Sequence, residues 1–343
     1  MKIKIICILL IIITNSIDIN SLSLNGVYYA AASYCNPLTE ILPWNCDACK
    51  HITGVVLTKP FFHASLKDFT LGYVTYNIKD NLIVVSFRGT NGLPTAPNFN
   101  SILSILNWRT NLDAALVDYE TFNSTIKDAK VHRGFLNSYN SIKKDLFTSV
   151  REILRIKDDA NIQVTGHSLG GALSTLAIVD LYNELHNRTK GNWYLTTYGS
   201  PRVGNKEFSK YFDEKIKNAF RHVHNGDITV QVPLITQNYV HVKRELWYEH
   251  NSLNYVVCQE NEDPLCNLSQ LDRSIEEHAL YLKIPITAMC SCSARDCPNR
   301  LWGNCCENTC PEGCSGNCDK VTGCSLSEQS IGNPVQDFQP VIV

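Results

Sequence analysis

At 343 residues, 44% of them hydrophobic and 19% charged, the chain is long enough for one large domain or two ordinary ones and too apolar to stay disordered. The formal net charge is −2, with both signs interspersed. No basic block tracks a phosphate backbone, which excludes nucleic acid as the natural partner.

The opening stretch, "MKIKIICILLIIITNSID", sets Lys2 and Lys4 before an apolar run from Ile5 to Ile13, followed by small and polar residues. That layout predicts a secretory signal over residues 1–22, cut between Ser16 and Ser23, and the run is short for a membrane span. The predicted location is secreted or extracellular, with a lysosomal or vacuolar lumen as the alternative. Of 15 cysteines, only Cys7 lies in that segment, so an even number remains for disulfides in an oxidising compartment. Sequons at Asn123, Asn187 and Asn267 suit the same route.

A long mixed segment, 23–288, follows. "TLGYVTYNIKDNLIVVSFRGT" predicts a hairpin, with Val74, Tyr76 and Ile78 alternating and Leu82 to Phe87 forming a buried strand. "SIKKDLFTSVREILRIK" predicts a helix with Ile142, Leu146, Val150, Ile153 and Leu154 on one face. A short strand at 162–165, an apolar helix from Leu169 to about Leu185, and strands at "WYLTTYG" and "FRHVHNGD" come next. Alternating strands and helices imply an α/β fold with a mainly parallel sheet, whose active groups gather at the carboxyl ends of strands. Residues 289–325 form a cysteine-rich module with nine cysteines from Cys290 to Cys324, and a polar tail, 326–343, ends the chain. Such a module is too small for a core and needs staples. Zinc is the competing use of clustered cysteines, but the module lacks histidine.

The chemistry centres on Gly166-His167-Ser168-Leu169-Gly170, a G-x-S-x-G elbow between the predicted strand and helix. A serine hydroxyl needs an adjacent base, and the partners follow in the order Ser, acid, His. Asp227, just past a strand end in "RHVHNGDITVQVP", is the expected acid; Asp180 and Asp213 read as solvated helix-surface residues. Three histidines follow it, His241, His250 and His278, and order alone does not separate them. An oxyanion hole would draw on the backbone N–H of Leu169 and on Thr90, at the end of "VVSFRGT".

The stretches "VVSFRGT", "NWRTNLD", "VHRGFLNSY", "VTGHSLGGALSTLA", "TYGSPRVGN", "RHVHNGDITVQVP", "ELWY" and "EEHALYL" together resemble the class-three, or fungal-type, lipase family, in the family's order across residues 82–281. The resemblance implies an α/β-hydrolase fold and hydrolysis of carboxylic esters, usually triacylglycerols or other acylglycerols. It implies Ser168 as nucleophile, Asp227 as acid and His278 as base, with Thr90 and Leu169 at the oxyanion hole. His132 and His167 would be neighbours of the site. Where the family has a lid, this chain carries an expanded "NGLPTAPNFNSILSIL", residues 91–106. A feruloyl or short-chain esterase, a phospholipase, and a catalytically silent lipid- or surface-binding protein are the alternatives. No metal or organic cofactor is expected. The expected partner is a lipid or other ester, met at a lipid–water interface if the lid acts.

Overall fold

Residues 18–64, 69–90, 114–121, 124–250 and 252–290 are described by the computed structural model, together with two-residue strands at 301–302 and 308–309. The expected lid at 91–106, and the cysteine-rich module beyond Cys290 apart from those strands, lie outside the described residues.

Helix α1 (Ile19–Ala32) and the short α2 (Asp47–Lys50) precede three antiparallel strands, β1 (Val55–Ala64), β2 (Phe69–Asn77) and β3 (Leu82–Phe87). A hairpin of β4 (Leu116–Thr121) and β5 (Ser124–His132) leads into α3 (Arg133–Leu154). Strand and helix then alternate through β6 (Asn161–His167), α4 (Leu169–Leu185), β7 (Trp193–Tyr198), α5 (Lys206–Lys215) and β8 (Ala219–His224). Then come β9 (Glu245–Tyr248), β10 (Tyr255–Val257) and a four-residue helix, α6 (Glu276–Ala279). Eight strands form one sheet in the order β1-β2-β3-β6-β7-β8-β9-β10. It is parallel from β3 to β9 and antiparallel at both flanks.

Strand β3 is a near-continuous apolar run because both faces of the sheet are covered, and the polar residues of β6, β7 and β8, among them Gln163, Thr196 and Arg221, are buried as well. Ile83, Val85 and Phe87 face one core with α3 and α4, whereas Leu82 and Val84 face a second core with α1. On α3, Phe135, Tyr139, Ile142, Leu146, Val150 and Ile153 recur at helical spacing and are buried. This helix starts at Arg133, well before the apolar stripe read from sequence, because His132 caps it by accepting from the Phe135 N–H at 3.2 Å.

Helix α4 is buried almost all round, and its Ser174 and Thr175 hydroxyls turn back onto the Gly170 and Gly171 carbonyls. Asp180, read from sequence as a solvated helix residue, is instead 1% exposed. Its carboxylate is held by Lys143 and the Tyr119 hydroxyl, a satisfied buried pair rather than a surface charge. Strand β9 is confined to "ELWY", Glu245–Tyr248. The preceding backbone is engaged elsewhere: the His241 carbonyl accepts from Ser209 and Asn261, and the Val242 carbonyl from Arg221.

Helix α1 is part of the packed structure from its first turn. Asp18 caps it by accepting from the Ser21 N–H, Leu22 is 2% exposed, and the Leu22 carbonyl accepts from Gln163 on β6. Three disulfides join Cys35 to Cys290, Cys46 to Cys49 and Cys258 to Cys266. The last of these closes the short loop after β10, and the first ties the N-terminal segment to the cysteine-rich end. Among the described residues no helix is long and apolar enough to cross a membrane.

Candidate active site

Strand β6 delivers Ser168 to a sharp corner. Its backbone sits at φ 59° and ψ −129°, a region rare for a residue with a side chain. The surroundings hold it there: the Ser168 N–H donates to the Tyr198 carbonyl at the end of β7, and its carbonyl accepts from Gly171 in the first turn of α4. Strained corners of this kind persist only when both flanks are fixed, here by the two strands beside β6.

The next parallel strand but one, β8, ends in the turn Asn225-Gly226 and places Asp227 fully inside the protein. One carboxylate oxygen accepts from the Thr229 N–H at 2.7 Å. The other accepts from His278 Nδ1 at 2.7 Å and from the Tyr281 hydroxyl at 2.5 Å. A backbone bridge pairs Asp227 with Ser274, so the segment carrying the histidine is laid directly along the segment carrying the acid.

His278 rides on α6 and is 1% exposed. Donation from Nδ1 to Asp227 leaves the Nε2 lone pair for an incoming proton, and Nε2 is buried with no hydrogen-bond partner. The backbone of His278 is fixed as well. His167 Nε2 donates to the His278 carbonyl at 2.7 Å, while His167 Nδ1 accepts from the Tyr34 hydroxyl at 2.7 Å. Burial, reinforced by the neighbouring His278, pushes the His167 pKa well below the usual histidine value, so its ring stays neutral and keeps this tautomer.

Ser168 is linked to the acid–base pair through Gly199, which follows the Tyr198 carbonyl that Ser168 binds. Gly199 has φ +59°, and a Cβ there would fall 2.7 Å from both Asp227 Oδ2 and His278 Nδ1. Only glycine fits that approach.

The candidate oxyanion donors are also at this corner. Leu169 opens α4, so its N–H has no acceptor within the helix. Gly89 lies against the elbow, since a Cβ on it would sit 3.1 Å from Ser168 Cβ, and Thr90 follows it with a buried hydroxyl that has no partner. Anion-ready donors beside a strained serine are what a tetrahedral oxyanion requires.

Of the three histidines that order left open, only His278 meets Asp227. His241 is buried and its Nε2 donates to the Val230 carbonyl; His250 is exposed and pairs with Glu277. His167 is a neighbour of the site as expected, whereas His132 serves as the cap of α3. Sequence reading passed over Tyr34, Gly199 and Tyr281. Tyr281 stands three residues after His278, a one-turn spacing that offered a signal; Tyr34 offered none.

The sequon at Asn267 takes a different role from the one expected. Asn267 is 1% exposed, donates to the Asn225 carbonyl at 2.6 Å and accepts from Gln231, so its amide holds the turn ahead of Asp227. Asn187 is exposed, and Asn123 lies outside the described residues.

Comparison with known proteins places this site in context. The family profile described as Lipase (class 3) matches residues 84–237. The lipase of Rhizopus niveus is 34% identical over 259 residues, 74% of this chain and 61% of its own length; the chain thus spans less than two thirds of that relative. The secreted mono- and diacylglycerol lipase A of Penicillium cyclopium is 30% identical over 228 residues, 64% of this chain and 68% of its own. In three dimensions, the lipase of Rhizopus microsporus var. chinensis superposes with a TM-score of 0.67 at 33% identity, covering 78% of this chain and 88% of that one.

Proposed function

This chain belongs to the class 3 lipase family, and from that premise we propose that it hydrolyses carboxylic esters of acylglycerols through Ser168, His278 and Asp227. The observation that carries the reading is the His278 ring: Nδ1–H held by a buried carboxylate, Nε2 bare, and its backbone carbonyl bound by His167, the residue before the strained Ser168.

In the proposed reaction Ser168 Oγ attacks the ester carbonyl carbon while His278 Nε2 takes the hydroxyl proton. Asp227 holds the ring and stabilises the imidazolium that forms. Negative charge moves to the carbonyl oxygen, where the Leu169 N–H and Thr90 receive it; one such donor is typically worth roughly 2.7–4 kcal/mol. Collapse breaks the ester C–O bond, and His278 returns its proton to the departing alcohol. Water, deprotonated by the same ring, then releases the acid from the acyl-serine.

The site is covered, with Ser168 5% and His278 1% exposed. A long acyl chain therefore enters only after local opening, which favours action at a lipid–water interface. Secretion is supported by the three disulfides and the leader-like start. Within the cleavage window, a cut ahead of Asp18 keeps the cap of α1.

The test is labelling of the purified chain with a serine-reactive phosphonate, peptide mapping, and assays on acyl esters of graded length. The expected outcome is one label on Ser168, preference for long acylglycerols, and loss of nearly all turnover in Ser168→Ala with an unchanged melting temperature. Hydrolysis only of soluble short or aromatic esters points to an esterase, and an unlabelled inert chain points to a lipid-binding protein.

A further inference from the structure

Beside the acid–base pair lies a second cluster that the ester chemistry does not use. His224 is the last residue of β8, His250 follows β9, and Glu277 is the α6 residue just before His278. His224 Nδ1 stands 2.8 Å from Glu277 Oε2, and His250 Nδ1 stands 3.1 Å from Glu277 Oε1. One potential ligand atom from each residue lies within 4.8 Å of the other two. Both imidazoles turn the same nitrogen toward one carboxylate, from opposite oxygens.

We propose that His224, His250 and Glu277 bind one divalent transition-metal ion of the zinc type, with solvent completing its coordination. With one carboxylate oxygen as ligand, one short separation is close to the ~3.3 Å edge of a tetrahedron built from zinc bonds of about 2.0–2.1 Å, and the other imidazole, with its ligand atom within 4.8 Å, closes on the ion by side-chain rotation. Two imidazoles and one carboxylate suit zinc, cobalt or nickel, whereas magnesium and calcium take oxygen donors. Metal binding replaces the hydrogen that lies between each Nδ1 and the carboxylate: the Nδ1 lone pair goes to the ion, and the displaced proton moves to Nε2 of the same ring or, where Nε2 already carries one, to solvent. The Asn225 amide donates to Glu277 Oε1 at 3.0 Å and orients that ligand.

Burial is graded as an accessible site requires. The side chains of His224 and Glu277 are 6% and 15% exposed, and that of His250 is 61% exposed, giving a buried floor with a solvent-facing outer ligand. The two other groupings of metal-ligating side chains among the described residues contain Cys35 with Cys290 and Cys258 with Cys266, whose sulfurs are already bonded to each other. No sequence motif announces the trio, because its members come from three separate elements.

The experiment is calorimetric titration of the secreted, disulfide-bonded chain with zinc chloride, repeated with magnesium chloride. The expected result is one zinc site per chain, no magnesium binding, and affinity weakened about tenfold or more in both His250→Ala and Glu277→Gln. His250 is exposed, so His250→Ala should melt like the parent without metal. His278→Ala should bind zinc as the parent does, which separates this site from the candidate catalytic histidine. Cobalt should give a visible spectrum of nitrogen and oxygen donors. Absence of zinc binding overturns the proposal, as does parent-like affinity in His250→Ala. Loss of binding in His278→Ala alone, or a sulfur charge-transfer band with cobalt, would place the metal elsewhere and equally overturn it.

Discussion

At Gly199 a single methyl group separates a working acid–base pair from a displaced one. A Cβ there meets Asp227 Oδ2 and His278 Nδ1 at 2.7 Å, and the positive φ adds backbone strain. We expect Gly199→Ala to lower kcat about 100-fold, as a misplacement near 1 Å does, while KM changes less. Steady-state kinetics beside a thermal melt checks this; full activity in a folded variant would show that the pair tolerates the shift. Asn267 gives a second expectation. Mass spectrometry of chain from a glycosylating host should find a glycan on Asn187 and none on Asn267. Asn267→Gln should cost about 1–3 kcal/mol of stability, since a longer amide leaves buried partners unpaired. These residues also show what the sequence made legible. Ser168 could be found because the elbow is local grammar, five residues between a strand and a helix. Asp227 followed from its place after a strand. The choice among His241, His250 and His278 needed the family resemblance, because a through-space partner leaves no fixed spacing. Tyr34, more than 130 positions from the ring it contacts, was invisible for the same reason.

Among the elements, α6 has only four residues, far too few to be stable as an isolated helix. It is positioned by the Asp227–Ser274 bridge and by His167 gripping the His278 carbonyl, so the base is held by its neighbours rather than by its own helix. The central elements were the readable ones: α4 has the span expected, β3 lies on its apolar run, and β6, β7 and β8 overlap the stretches read as strands. The edge strand β10 was not readable, because its three residues are defined by pairing rather than by pattern. Covalent linkage supports this layer. Cys35–Cys290 closes a separation of 255 residues, and a long closed loop limits the unfolded chain most. Replacing both cysteines by serine should lower unfolding free energy by about 2–5 kcal/mol in urea titrations. An unchanged midpoint would mean that packing between α1 and the sheet suffices without the bridge.

For the whole molecule, the buried histidines set the response to acid. Burial lowers the pKa of His222 to about 3 and pushes His167 and His241 well below the usual value. The unfolded chain binds protons at these rings below ~6.5 and the folded chain does not, so stability is present above that pH and is lost as pH falls. Each ring contributes up to about 1 kcal/mol per pH unit in that window. Asp180 and Asp213, whose pKa values burial raises, act in the opposite sense at lower pH. Urea midpoints of Ser168→Ala at about pH 7.5, 6 and 5 should fall in that order; a flat profile would show the rings protonating inside the fold.

The docking of α1 has a consequence for biosynthesis. Its carbonyls at Leu22 and Ser23 are received by Gln163 and Tyr198, which lie 141 and 175 positions further along. During translation an apolar helix emerges early, and the surface that shelters it is completed only after β7 has left the ribosome. For that interval Leu22 to Ala32 is a natural client for holding chaperones, and docking of α1 is a closing event that waits for more than half of the chain rather than a first local step.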